Sequence, residues 1–163
     1  MNSTVKGGIN METEEAVYFF TPPFYTLDNF SAYIVKIWGK KFLTSEHAYQ
    51  WKKYSISHPD IADQILNTTN PSDAKKIADA HRADVSPNWE KEKADVMKEI
   101  IRAKIQQHEK VQRVLTKTGD KEIFENSPND SFWGVGPEGT GQNMLGKIWM
   151  QLRDELRKGT TGA

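Results

Sequence analysis

The sequence predicts an α+β fold: a single, mainly helical domain with a small sheet weighted toward the N-terminus. Three observations carry this. Short aromatic and β-branched runs occur before residue 44 and once more near residue 123. Helix-start signals recur from Thr44 onward. Apolar residues return every three or four positions through residues 87–117 and 143–157.

The elements follow in order. Residues 1–15 are polar, glycine-containing and acidic, which predicts a disordered tail. Residues 16–20 form a strand, stopped by Pro22 and Pro23. Residues 33–37 and 41–43 pair as a hairpin turning through Gly39. Thr44 or Ser45 caps a helix that runs to Lys53. Asn70, Pro71 and Asp73 combine an N-cap, proline at the first helical position and an acid in the first turn. Ser86, Pro87 and Glu90 repeat that signal. They open one long amphipathic helix to about residue 117, with Ala94, Met97, Ile101, Ile105, Val111 and Leu115 on its apolar face. Ile123 and Phe124 suit a short strand, and residues 143–157 a closing helix with Met144, Leu145, Ile148, Trp149, Leu152 and Leu156 on one face. The folded domain is expected over 16–158, with 159–163 a loose end.

Bulk properties narrow the function. A chain of 163 residues can bury a substantial core. Basic and acidic residues balance at 22 each, so no net field draws in nucleic acid or an anionic membrane, although a local basic pocket is still allowed. The absence of cysteine removes disulfides, thiol catalysis and thiolate metal sites. His47, His58, His81 and His108 are scattered, without metal-ligand spacing. No apolar run approaches the ~18 residues of a membrane span, and no secretory signal is evident. A cytoplasmic protein without metal or cofactor is the expectation.

Two segments carry possible chemistry. Glu46, Gln50 and Lys53 fall at i, i+4 and i+7 and share a helix face. That row is either a site or a solvated, ion-paired face. His47 lies on another face and reads as structural. The second segment, residues 129–143, is a glycine-rich loop feeding the last helix. Gly134, Gly136 and Gly139 formally match a dinucleotide fingerprint. However, Pro137 sits inside the motif and no βαβ unit surrounds it, so that reading is rejected. What remains is an anion site at a helix N-terminus or a tight connection needing glycine. Asp130 and Trp133 at its entrance suit a local turn and a core aromatic as readily as a site.

In this order, four motifs resemble the NADAR, or YbiA-like, family. They are Asp28-Asn29-Phe30, the run from Ser45 to Lys53, Asn88-Trp89 ahead of a helix containing Met97 and Lys104, and residues 129–134 with Gly141, Gln142, Asn143 and Gly146. The resemblance spans about residues 17–157 and implies a YbiA-like fold. It implies cleavage of a ribosyl C–N bond, either in a phosphoribosylamino-pyrimidine of the riboflavin pathway or in ADP-ribosylated guanine of nucleic acid or nucleotides. The partner is then a small ribosyl or ADP-ribosyl substrate, or ADP-ribosylated nucleic acid. A non-catalytic ADP-ribose or nucleotide reader is the alternative from another class. The family's functional positions fall on Glu46, Lys53, Trp89, Asp130 and Trp133. Lys75, Lys76 and Arg82 do not align with it.

Chemistry assigns expected roles. Breaking the bond builds positive charge at C1′, which the carboxylates of Glu46 and Asp130 could stabilise from opposite sides of the sugar. The helix N-terminus favours the Glu46 anion, which suits a base or stabiliser rather than an acid. Lys53 could form a Schiff base if its pKa is depressed, with Lys52 a candidate neighbouring cation. Trp89 and Trp133 suit stacking on a heterocycle, or core packing. Asn29, Phe30, Gln50, Gly134 and Asn143 complete the expected substrate-binding set.

Overall fold

A computed structural model describes residues 6–20 and 24–159. Among the described residues, four short strands precede the α-helices and one more falls before the last helix, the α+β arrangement the sequence predicts. No helix among the described residues is long and apolar enough to cross a membrane. The chain divides into two compact units, residues 29–107 and residues 1–28 with 108–163.

The unit formed by residues 29–107 begins with a hairpin of β1, Val35–Ile37, and β2, Lys40–Phe42. Trp38 and Gly39 between them have φ of 53° and 72°. Positive φ at both central residues is the type I′ geometry that matches strand twist. The glycine takes this conformation freely, and Trp38 is held in it by packing. Helix α1 follows, Ser45–Tyr54, and Thr44 caps it by accepting the His47 N–H. Helix α2, Pro59–Leu66, was not expected. Its signals were present: proline at the first position and Ile61, Ala62 and Ile65 on one face. Helix α3, Pro71–Ala80, starts at Asn70 as predicted, with the Asn70 side chain accepting from the Asp73 N–H. Helix α4, Trp89–Gln107, lays Met97, Ile100, Ile101 and Ile105 into the core. At its end the Gln107 amide donates to the Lys36 carbonyl and accepts the Lys36 N–H, both at 2.8 Å. It thereby pairs an open strand edge.

The predicted single helix over 87–117 is two helices. Residue His108 is extended, with φ −136° and ψ 107°, and α5 runs over Glu109–Lys117. No proline or glycine marks the break. The apolar phase does: Val111 follows Ile105 by six positions, about 120° off a helix face, so one straight helix could not bury both.

The second unit is built on a three-stranded sheet. The strand β3, Ala16–Phe19, pairs in parallel with β4, Glu122–Glu125, and antiparallel with β5, Met11–Glu12. The tail expected to be disordered up to residue 15 is therefore ordered from residue 6. Asn126 donates to the carbonyls of Lys6 and Ile9, the Asn10 side-chain Oδ1 accepts from Phe20 N–H at 2.7 Å, and Met11 and Glu12 pair the sheet edge. A strand edge needs hydrogen-bond partners whatever side chains its neighbour carries, so composition underrated this segment. Pro22, Pro23 and residues 1–5 and 160–163 lie outside the described residues. The closing helix α6, Met144–Arg157, buries Leu145, Ile148, Trp149 and Leu152. The Trp149 indole donates to the Leu27 carbonyl at 3.0 Å. A Cβ on Gly146 would run into the Ile123 carbonyl oxygen and the Asn143 amide. Gly146→Ala should therefore destabilise the protein by about 2 kcal/mol or more in urea unfolding, because neither backbone can move aside.

Candidate active site

The N-terminal turn of α1 is built around a buried carboxylate. Glu46 is 7% exposed. Its backbone N–H donates to the Asn29 carbonyl at 3.1 Å, and its Oε1 accepts from Gln50 Nε2 at 2.8 Å. One helical turn separates the two side chains, so the i, i+4 spacing becomes a direct hydrogen bond. The position in the first turn places the carboxylate at the positive end of the helix dipole.

Several buried polar atoms of this unit have no hydrogen-bond partner. Gln50 is 4% exposed, and its Oε1 accepts nothing once its Nε2 serves Glu46. Asn29 donates Nδ2 to the Met97 sulfur at 3.5 Å, while its Oδ1 is left unpaired and buried. Trp89, the first residue of α4, packs its ring 5.3 Å from Tyr49, and its buried Nε1–H has no acceptor. Unsatisfied buried polar groups are costly, and those in this unit hold hydrogen-bonding capacity in reserve. Phe30, next to Asn29, is half-buried.

Lys53 lies in the last turn of α1 and is half-buried. Burial pushes its pKa below the ordinary lysine value; the carboxylates of Asp79 and Glu46 oppose this, and Arg82 and Lys75 add to it. Asp79 was not singled out in the sequence. It sits on α3 between Lys75, at 2.6 Å, and Arg82, at 3.2 Å. Lys52 is directed elsewhere: its Nζ stands 4.8 Å above the Trp38 ring. The neighbouring cations of Lys53 are Arg82 and Lys75, from a segment whose register the sequence could not supply. His47 is buried, with Nδ1 2.8 Å from the Thr44 hydroxyl, and burial pushes its pKa down.

Lys104 is a further buried polar residue. It is fully buried on α4, with Nζ 2.9 Å from the Ser31 hydroxyl and 5.2 Å from the Tyr33 ring centroid. The sequence carried a signal for this, since Lys104 falls three, four and seven positions after Ile101, Ile100 and Met97, squarely on the apolar face.

The glycine-loop residues are placed in the other unit. The Asp130 Oδ1 accepts from the N–H of Phe132 at 2.9 Å and of Trp133 at 2.7 Å, an Asx-type turn. Trp133 is half-buried, edge-on to Phe132 with centroids 4.7 Å apart. A Cβ on Gly134 would lie 2.7 Å from the Glu125 carbonyl oxygen, so the glycine permits close packing. Asn143 enters α6 at φ 51°. Its amide donates to the Ile123 carbonyl and accepts the Glu125 N–H, which joins helix to strand. The anion-binding possibility for this loop is corrected here. The N–H groups of Asn143, Met144 and Leu145 already donate to the carbonyls of Gly134, Phe132 and Trp133, so the helix N-terminus has its acceptors.

Lys53 binds its proton less tightly in the folded chain than in the unfolded one. The resulting penalty is present in full below the depressed folded pKa. It is relieved as pH rises from that value toward the unfolded one. Lys53→Met should therefore raise the thermal midpoint at neutral pH, with the gain shrinking toward pH ~10.5, as followed by circular dichroism.

Comparisons with known proteins agree with this architecture. The NADAR domain model matches residues 11–157, so the ordered segment from Met11 lies inside the family's domain rather than before it. The N-glycosidase YbiA of Escherichia coli is 34% identical over 128 residues, covering 78% of this chain and 79% of that protein. An N-glycosidase of Nostoc punctiforme is 33% identical over 144 residues, covering 86% and 92%. A riboflavin biosynthesis protein of Vibrio vulnificus is 31% identical over 147 residues, covering 89% of this chain and 40% of that longer protein. The NMR structure of E. coli YbiA matches with a TM-score of 0.81 at 29% identity, over 91% of this chain and 89% of the other. With the family model spanning nearly all of the described fold, the chain belongs to the NADAR domain family.

Proposed function

We propose that this protein is an N-glycosidase that hydrolyses the ribosyl C–N bond of a phosphoribosylamino-pyrimidine. The observation that carries the reading is the buried Glu46 carboxylate with the unpaired Asn29 Oδ1, Gln50 Oε1 and Trp89 Nε1 in the same unit. Two spare acceptors suit donation from sugar hydroxyls, and a spare indole N–H suits an oxygen of the substrate. The relatives named N-glycosidases support the reaction class, and the one named a riboflavin biosynthesis protein supports the pyrimidine.

In this reading Glu46 stays anionic and stabilises positive charge at C1′ as the C–N bond stretches. The neutral amine of Lys53, favoured by burial, attacks C1′. The attacking nitrogen gives up a proton as it bonds to C1′, and the leaving nitrogen takes that proton and departs as the C–N bond breaks. The sugar ring opens to an iminium, which water hydrolyses to ribose 5-phosphate and free lysine. Asp130 and Trp133 are proposed to contribute to the substrate site, as the family resemblance implies. Their hydrogen bonds and ring contact meanwhile order the loop that carries them.

The test is product analysis by mass spectrometry with a phosphoribosylamino-pyrimidine and, in parallel, an ADP-ribosylated guanine nucleotide. Release of ribose 5-phosphate from the first is expected; inertness toward the first, with turnover of the second, would reassign the substrate. Glu46→Gln and Lys53→Ala should each lower kcat/KM by about a hundredfold or more while the variants stay folded by circular dichroism. Borohydride added during turnover should trap a sugar adduct on Lys53. If the wild type turns over without any trapped adduct, the covalent route is wrong and direct water attack replaces it.

A further inference from the structure

The first residues of a chain are poorly ordered unless something ties them down. Residues 6–10 precede the stretch that the NADAR domain model matches, and Asn126 ties them down. Asn126 is 1% exposed. Its side-chain amide donates to the carbonyls of Lys6 at 2.8 Å and Ile9 at 2.9 Å, and its own carbonyl accepts the Gly8 N–H at 2.8 Å. Its backbone N–H donates to the carbonyl of Phe19, the last residue of β3, at 2.8 Å. With the bond from the Phe20 N–H to Asn10, the segment crosses the end of β3, from the edge strand β5 to the end of β4.

The residues on either side of Asn126 serve a different segment. The Glu125 carbonyl accepts the Val135 N–H and the Ser127 carbonyl accepts the Gly136 N–H, both at 3.0 Å. A Cβ on Gly134 would lie 2.7 Å from the Glu125 carbonyl oxygen, 3.1 Å from Ser127 Cβ and 3.2 Å from the Asp130 carbonyl oxygen. Three consecutive residues, 125–127, therefore hold the N-terminal segment at the middle position and the loop of Trp133 at the outer two. Little slack remains between them, because Gly134 already stands closer than a side chain would allow. The N-terminal segment also meets the start of that loop directly: a Cβ on Gly7 would lie 3.1 Å from Pro128 Cβ, two residues before Asp130. An asparagine buried this deeply is stable only while its amide is paired, so the Lys6 and Ile9 carbonyls and the position of Asn126 depend on one another.

We propose that residues 6–10 are a strap that sets the position of the Asp130–Trp133 segment through Asn126 and Pro128, and thereby tunes affinity for the substrate. Asn126 is a positioning residue: its bonds go to the strap and to β3, and it acts on the substrate only through the loop it anchors. The effect on affinity rests on the reading of Asp130 and Trp133 as part of the substrate site.

The test uses the full chain labelled with 5-fluorotryptophan, with the Trp133 fluorine resonance assigned through Trp133→Phe. Asn126→Ala and Gly7→Val should each move that resonance and leave those of Trp51 and Trp89 in place. With the phosphoribosylamino-pyrimidine as substrate, both variants should raise KM about fivefold and hold kcat within about twofold of the wild type. A role in folding alone would lower the active fraction, and with it kcat, at unchanged KM. In a Trp133→Ala background, Asn126→Ala should add nothing further to KM, since both changes act through one contact. Gly7→Val removes no hydrogen-bonding side chain, so it carries the test if Asn126→Ala fails to fold. An unmoved Trp133 resonance in Gly7→Val would overturn the strap. So would a KM that stays at the wild-type value in Gly7→Val while Trp133→Ala raises it. Trp133→Ala with unchanged KM would instead sink the substrate reading of the loop; the Trp133 resonance, which needs no substrate, then decides the strap alone.

Discussion

A carboxylate buried at the start of a helix is the constraint around which residues 29–107 are organised. Removing Glu46 from water is costly unless the charge finds compensation. The compensation here is local. Thr44 fixes where α1 begins, the Asn29 carbonyl takes the Glu46 N–H, the helix dipole favours the anion, and the Gln50 amide reaches back one turn. Each of these commits a group that would otherwise satisfy something else. The Gln50 amide donates to Glu46 while its carbonyl oxygen has no partner, and the Asn29 side-chain oxygen is likewise unpaired.

The same helix shows how neighbouring residues acquire opposite roles. Lys52 and Lys53 are chemically identical and adjacent, but side chains one position apart on a helix point about 100° apart. One amine rests on the Trp38 indole; the other is drawn into a half-buried setting, where burial lowers its proton affinity and Asp79 and Glu46 restrain the effect. A lysine near both a carboxylate and desolvating surface has its nucleophilicity set by the balance between them.

In the other unit the glycine loop is a joint. Gly134 and Gly146 let two backbones approach closely, and Asn143 uses both ends of its amide to pair β4. The N–H groups that open α6 are consumed by carbonyls of residues 132–134. The loop's glycines therefore serve packing and backbone satisfaction, and Asp130 ties its own turn. Its contribution to chemistry, if it is to have one, has to come from side chains such as Trp133 and not from free backbone donors.

Local grammar was sufficient for much of this chain. The Thr44 and Asn70 caps, the hairpin through Gly39, the strand at Ala16 and the closing helix all follow from cap chemistry, turn preference and apolar period, which act within a few residues. The i, i+4, i+7 row of Glu46, Gln50 and Lys53 was equally legible, because helix geometry alone puts it on one face. The phase slip before Val111 and the proline start of α2 were also written in the sequence and needed only closer reading. Other features depend on partners distant in the chain. The pairing of Met11 and Glu12 with β3 came from an open sheet edge, and the burial of Lys104 beneath Ser31 and Tyr33 from a segment some 70 residues away. The influence of Asp79 on Lys53 and the orphaning of Asn29, Gln50 and Trp89 belong to the same class. Period and capping are one-dimensional, whereas desolvation, proton affinity and an unmade hydrogen bond depend on everything within a few ångströms, and only the packed chain decides what that is.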